Sequence, residues 1–125
     1  MRIEIAMALP SAANLREHWA ARAKRARAQR WTVRYHLAAQ PWAVQEHTAA
    51  HVRAQHLLRI RLTRIAPRML DTDNLATSLK ACRDGVADWL GIDDGGWNLI
   101  WEYEQERAPI PRYQAVRVEM WEVER

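Results

Sequence analysis

Between Asn74 and Leu90, the residues Leu75, Leu79, Cys82, Val86 and Leu90 recur at i, i+4, i+7, i+11 and i+15. That spacing places all five on one stripe of an α-helix, which must be buried against another layer. Asp73 or Asn74 is positioned as its N-cap and Gly91 as the residue that ends it. The rest of the chain must supply the surface that covers this stripe.

Strands supply it. Ile3, Ile5, Met7 and Leu9 alternate with other residues before Pro10 and Ser11, and Leu58, Ile60 and Leu62 alternate with Arg59, Arg61 and Thr63. A period of two is that of a half-buried strand. Two further strands follow the helix. Trp97, Leu99, Trp101 and Tyr103 form one face of the first, and Val116, Val118 and Met120 one face of the second. Pro109 to Pro111 lies between them. From Asn14 to Gln40 there is no glycine or proline, and alanine and arginine dominate, which predicts one long helix stopped by Pro41. Trp42 to His56 reads equally as a short helix or a loop. The predicted order is β-α-β-α-β-β, an α+β (α/β) chain in which residues 1–125 form a single domain.

Composition narrows the class. An apolar fraction of 49% and a charged fraction of 27% are those of a globular chain. The one cysteine, Cys82, excludes an internal disulfide framework. No run reaches transmembrane length and residues 1–10 lack an apolar signal core, so a cytoplasmic protein with no membrane partner is expected. The net charge of +4 is carried mostly by arginine. It permits a polyanionic partner, and GC-rich coding gives the same bias. The chain has seven tryptophans and no phenylalanine, and Trp19, Trp31, Trp89, Trp97, Trp101 and Trp121 are expected in the core or a dimer contact.

The chemistry concentrates at Asp71-Thr72-Asp73-Asn74. Two carboxylates at i and i+2 of an extended segment point to one side. They repel unless a cation lies between them, and hard oxygen ligands suit Mg²⁺, with Mn²⁺ as a substitute. Helix capping is the alternative reading of the same residues. At 100° per residue, Lys80 and Asp84 each lie about 20° from Asp73, while the apolar stripe begins about 200° away at Leu75. The helix therefore presents Asp73, Lys80 and Asp84 together, as a plain solvated face would also do. Asp93-Asp94-Gly95-Gly96 reads as a turn. It leads into a strand that can return these carboxylates to Asp71. An EF-hand is excluded, because Leu75 stands at a ligand position.

Arg22, Lys24 and Arg25, with their neighbours on the first long helix, form a dense basic segment suited to phosphates or to solvent. Arg64 and Arg68 approach the acidic cluster along the chain and are candidate substrate contacts. His47 and His51 have a helical zinc spacing without the accompanying glutamate, so no metal role is assigned to them.

Taken together, Leu9-Pro10-Ser11, Asn14, His18, Arg64, Arg68, the Asp71-x-Asp73-Asn74-Leu75 run and Asp93-Asp94 resemble the RusA family of Holliday junction resolvases. The resemblance covers nearly the whole chain. It implies a small mixed four-stranded sheet with two main helices, assembled as a homodimer. It also implies a Mg²⁺-dependent endodeoxyribonuclease that nicks four-way or branched DNA in pairs during recombination and repair. Asp71, Asp73 and Asp94 would be the metal ligands and Lys80 a catalytic group. Asn14, His18, Arg22, Lys24, Arg25, Arg64 and Arg68 would face the DNA. One departure stands out: Thr77 occupies the position of the family's helical lysine, and Lys80 follows three residues later. A DNA-binding protein of this fold with lost or altered cleavage is the alternative.

Overall fold

The computed structural model describes residues 1–10 and 18–123. In chain order the elements are β1 (Arg2–Ala6), α1 (Trp19–Ala38), α2 (Trp42–Arg53), β2 (Leu57–Ala66), α3 (Thr72–Leu90), β3 (Leu99–Arg107) and β4 (Ala115–Val123). They form an α+β fold, with four strands in one mixed sheet ordered β1-β4-β2-β3. β4 runs antiparallel to both β1 and β2, whereas β2 and β3 are parallel. Parallel neighbours cannot be joined by a tight turn, so α3 serves as the crossover between them.

The period-two reading of β2 holds from Leu57 to Leu62, whereas Thr63, expected beside Arg59 and Arg61, is buried. Leu58, Ile60 and Leu62 are fully buried in one cluster with Leu79, Cys82 and Val86 of α3. Arg59 and Arg61, on the other face, flank the Trp121 ring at 5.9 and 5.0 Å and share Glu102. All five stripe residues of α3 are buried. α3 ends where Gly91 turns left-handed at φ 67°. There the Ile92 N–H reaches back to the Ala87 carbonyl.

Gly85 sets the contact between α1 and α3. A Cβ there would lie 2.6 Å from the Arg30 carbonyl oxygen and 3.0 Å from Val33 Cβ. A glycine inside a helix costs about 1 kcal/mol relative to alanine. Here it permits the backbones of the two helices to approach closely at Gly85 and Arg30. Close by, Arg30 grips Asp88 with two hydrogen bonds of 2.6 and 2.7 Å.

Several expectations are corrected. Residues 42–53 form a helix, closed by the buried Asn98 amide donating to the Val52 and His56 carbonyls. The predicted order is kept, with this helix added. α1 begins at Trp19 because extended His18 caps it, its Nδ1 accepting from the Ala20 N–H. α3 is capped by Asp71 rather than by Asp73 or Asn74, because the Asp71 carboxylate reaches the Asn74 N–H at 2.9 Å. β3 starts at Leu99, leaving Trp97 62% exposed. Of the tryptophans, Trp89 is buried in the core; Trp19 and Trp31 on α1, Trp42 at the start of α2 and Trp97 in the turn before β3 are exposed and so lie outside the core. Among the described residues, no helix is long and apolar enough to cross a membrane.

Candidate metal and nucleic-acid site

α3 organises the site. Asp71 stands at its N-cap, both oxygens engaged: Oδ1 accepts from the Asn74 backbone N–H and Oδ2 from the Asn74 side-chain amide. Asp73 sits in the first helical turn rather than in an extended segment, so the side-by-side geometry expected of the two acids is replaced by a cap and a first-turn residue. Both carboxylates are exposed and lie at the helix end where negative charge is favoured. The approach to them is anchored by Gln105 of β3, whose side-chain amide exchanges hydrogen bonds of 2.8 and 2.7 Å with the Leu70 backbone.

A second charged group lies further along the helix. Lys80 Nζ donates to Asp84 at 2.8 Å and to Asp94 at 3.4 Å. The Asp84 hydrogen bond raises the Lys80 pKa, so the amine stays protonated. Arg83 holds Asp94 more tightly. Its Nε donates to the Asp94 carboxylate at 2.7 Å, one terminal nitrogen to the Asp94 carbonyl at 2.9 Å, and the other to the Tyr103 hydroxyl at 2.7 Å. The guanidinium also lies 4.7 Å from the Trp101 ring, whose Nε1 donates to the same Asp94 carbonyl. Partial burial works to raise the Asp94 pKa, but the hydrogen bonds from Arg83 and Lys80 outweigh it and hold the carboxyl below its ordinary range.

The turn at 91–98 thus returns Asp94 to the middle of α3, beside Lys80 and Arg83. Lys80 is seven residues beyond Asp73, roughly 10 Å along the helix axis. Among the described residues, no three His, Cys, Asp or Glu side chains converge in a way that would hold an ion. Of the expected trio, Asp71 and Asp73 lie at the N-terminal end of α3, whereas Asp94 lies in the turn packed beside the middle of that helix.

The basic residues divide similarly. Arg22 and Arg25 of α1 line a hollow of about 210 Å³ together with Thr77, Lys80 and Asp84 of α3. Lys24 is exposed on α1 and Arg68 is exposed before the acidic turn. Arg64 is only 6% exposed. Its guanidinium ties the Leu9 and Arg68 carbonyls together at 2.9 and 2.7 Å, so it braces the two segments that flank the site. Burial lowers its pKa. His18 caps α1, and Asn14 lies outside the described residues. His47 and His51 both approach Glu122 of β4, at 2.6 and 3.6 Å.

Arg83 and Gln105 are the residues that sequence reasoning missed. Arg83 carried a signal: it lies about 60° from the centre of the apolar stripe at 100° per residue. A cation on that flank needs an acidic partner. Gln105 offered none, since its role depends on the register that brings β3 beside the loop after β2.

No protein-family model, curated protein or solved structure matches the chain.

Proposed function

We propose that this chain is a Mg²⁺-dependent endodeoxyribonuclease acting on four-way or otherwise branched DNA, in recombination or repair in the cytoplasm. One observation carries the reading: Arg22 and Arg25, on a helix with no acidic residue, share a hollow with Lys80 and Asp84 of α3. Cations that can receive phosphates thus adjoin the helix whose N-cap and first turn bear two exposed carboxylates, Asp71 and Asp73.

The donor chemistry fits a hard divalent ion, because Asp71 and Asp73 offer exposed carboxylate oxygens. These two would hold Mg²⁺ or Mn²⁺. Asp94 would join them only by giving up partners at Lys80 and Arg83. The ion, when bound, supplies Lewis-acid polarisation and a water of lowered pKa. The chain's own residues do the rest. Arg22, Lys24, Arg25 and Arg68 bind phosphates, and Lys80 offsets charge developing on the phosphoryl group. Arg64 keeps the Arg68 segment in place. A homodimer with twofold symmetry would present two such sites, as paired nicks require.

A specific observation favours a second reading, in which the protein binds junctions without cutting them. Asp94 is already neutralised by Arg83 and Lys80, and Thr77 stands one turn after Asp73. A synthetic four-way junction with Mg²⁺ separates the two. Symmetric nicks that vanish in Asp73→Asn support the nuclease. Salt-sensitive binding without nicking in Mg²⁺ or Mn²⁺ supports the second reading. Absence of salt-sensitive binding to branched and duplex DNA overturns both.

A further inference from the structure

Val33 and Leu37 are the buried residues of α1, and about half a turn away around the helix stand Trp31 and Tyr35. Their rings stack, with centroids 5.0 Å apart and planes 17° from parallel. They remain 62% and 58% exposed. A large aromatic pair in water costs free energy unless something covers it. Arg27 and Arg34 lie on the same side, and they line a hollow with Trp31, Arg30 and Asp88. Arg22 and Arg25, by contrast, face the hollow on α3.

We infer that Trp31 and Tyr35 form a stacking platform for unpaired nucleobases, with Arg27 and Arg34 receiving the flanking phosphates of a single strand. Exposed aromatic rings bordered by cations bind single strands without regard to sequence, because every base offers a π-face to the free side of a ring. Charge decides against a second copy of this chain as the occupant. α1 carries no acidic residue, and Asp88 of α3, which lines the same hollow, is already held by Arg30, so a twofold pairing of this face would oppose arginine with arginine. A polyanion has the complementary charge. The platform goes beyond cleavage, needs no metal, and lies on a different side of α1 from the hollow shared with Lys80.

The test measures binding of the full chain to fluorescein-labelled oligothymidine by anisotropy, in EDTA and low salt. A strand of the same length made of abasic sugar-phosphate serves as comparison. The double variant Trp31→Ala/Tyr35→Ala should bind oligothymidine about 5- to 150-fold more weakly. Its affinity for the abasic strand should equal that of the unaltered chain. Trp31→Phe/Tyr35→Phe should keep most of the binding, and Trp42→Ala, which removes another exposed tryptophan, should change nothing. Equal binding of both strands by the unaltered chain, or unchanged binding by the alanine variant, overturns the platform. So does a dimer that falls to monomer in the alanine variant, since the rings would then join two copies. Junction nicking in Mg²⁺ reads the acidic site separately: the platform stands if strand binding persists where nicking is absent.

Discussion

The Arg83 guanidinium and Asp94 form the most heavily braced ion pair of the site: two hydrogen bonds to Asp94, one to Tyr103, and a face against Trp101. Three donors used in a fixed fork cannot be reproduced by a lysine ammonium. Arg83→Lys should therefore destabilise the fold by about 1–2 kcal/mol, measured by urea unfolding. Arg83→Ala should cost at least as much. If Arg83→Lys matches the unaltered chain, the bracing of Asp94 contributes nothing to stability.

Acid should unfold the chain partly through Asp94 and Asp88. The Arg30 hydrogen bond lowers the Asp88 pKa, and Asp94 is lowered as well. A carboxyl with a depressed folded pKa contributes its stability in full above the unfolded value, about 3.9. That contribution is lost as pH falls through the folded value. Unfolding free energy followed from pH 7 downward should therefore drop below about pH 4. In Asp88→Asn/Asp94→Asn the drop should be shallower, and an unchanged slope would remove these two groups from the account.

Asp71→Asn distinguishes capping from chemistry. Asparagine caps a helix about as well as aspartate, so stability should stay within about 0.5 kcal/mol. Mg²⁺-dependent nicking should nevertheless be lost, because the carboxylate is gone. Asp71→Ala should lose nicking and also about 1 kcal/mol of stability. Nicking by Asp71→Asn at the unaltered rate would confine Asp71 to the cap.

Gly85→Ala sets helix propensity against contact. Alanine should gain about 1 kcal/mol as a helix former. Its Cβ would stand 2.6 Å from the Arg30 carbonyl oxygen, so the two helices must move apart. Overpacking of this kind costs about 1–3 kcal/mol. Net destabilisation in urea is expected, and net stabilisation would show that the contact gives way easily.

Cys82 should resist thiol reagents until the chain unfolds. Its side chain is fully buried, and burial pushes the thiol pKa up to about 12. Labelling with a neutral disulfide reagent should follow the urea transition. Rapid labelling in native buffer would mean that α3 lifts from the sheet without global unfolding.

What the sequence made legible was local and periodic. The β2 alternation and the α3 stripe were readable because each face repeats within a few residues, and Gly91 marked the end of α3. The site was less legible, because its geometry depends on contacts distant in sequence. Asp71, Asp73 and Asn74 are all good caps, and only the fold of the preceding loop, tied to Gln105, selects Asp71. Asp94 was expected beside Asp71, but the partner that claims it is Arg83. Trp31 reads as a core residue or a dimer contact, and only the placement of Val33 and Leu37 shows which side of α1 is turned outward.

The touch between Gly85 and the Arg30 carbonyl bears on how a substrate could be selected. Helices separated by a layer of side chains can slide or breathe as those side chains change rotamer. Here the spacing is determined by backbone against backbone at one point, so the hollow between α1 and α3 has the character of a fixed gauge. In the proposed reading, adaptation then falls to the DNA. A branch point that bends or opens at low energetic cost would be admitted, and a stiff duplex would be excluded by its own elasticity before any base is read.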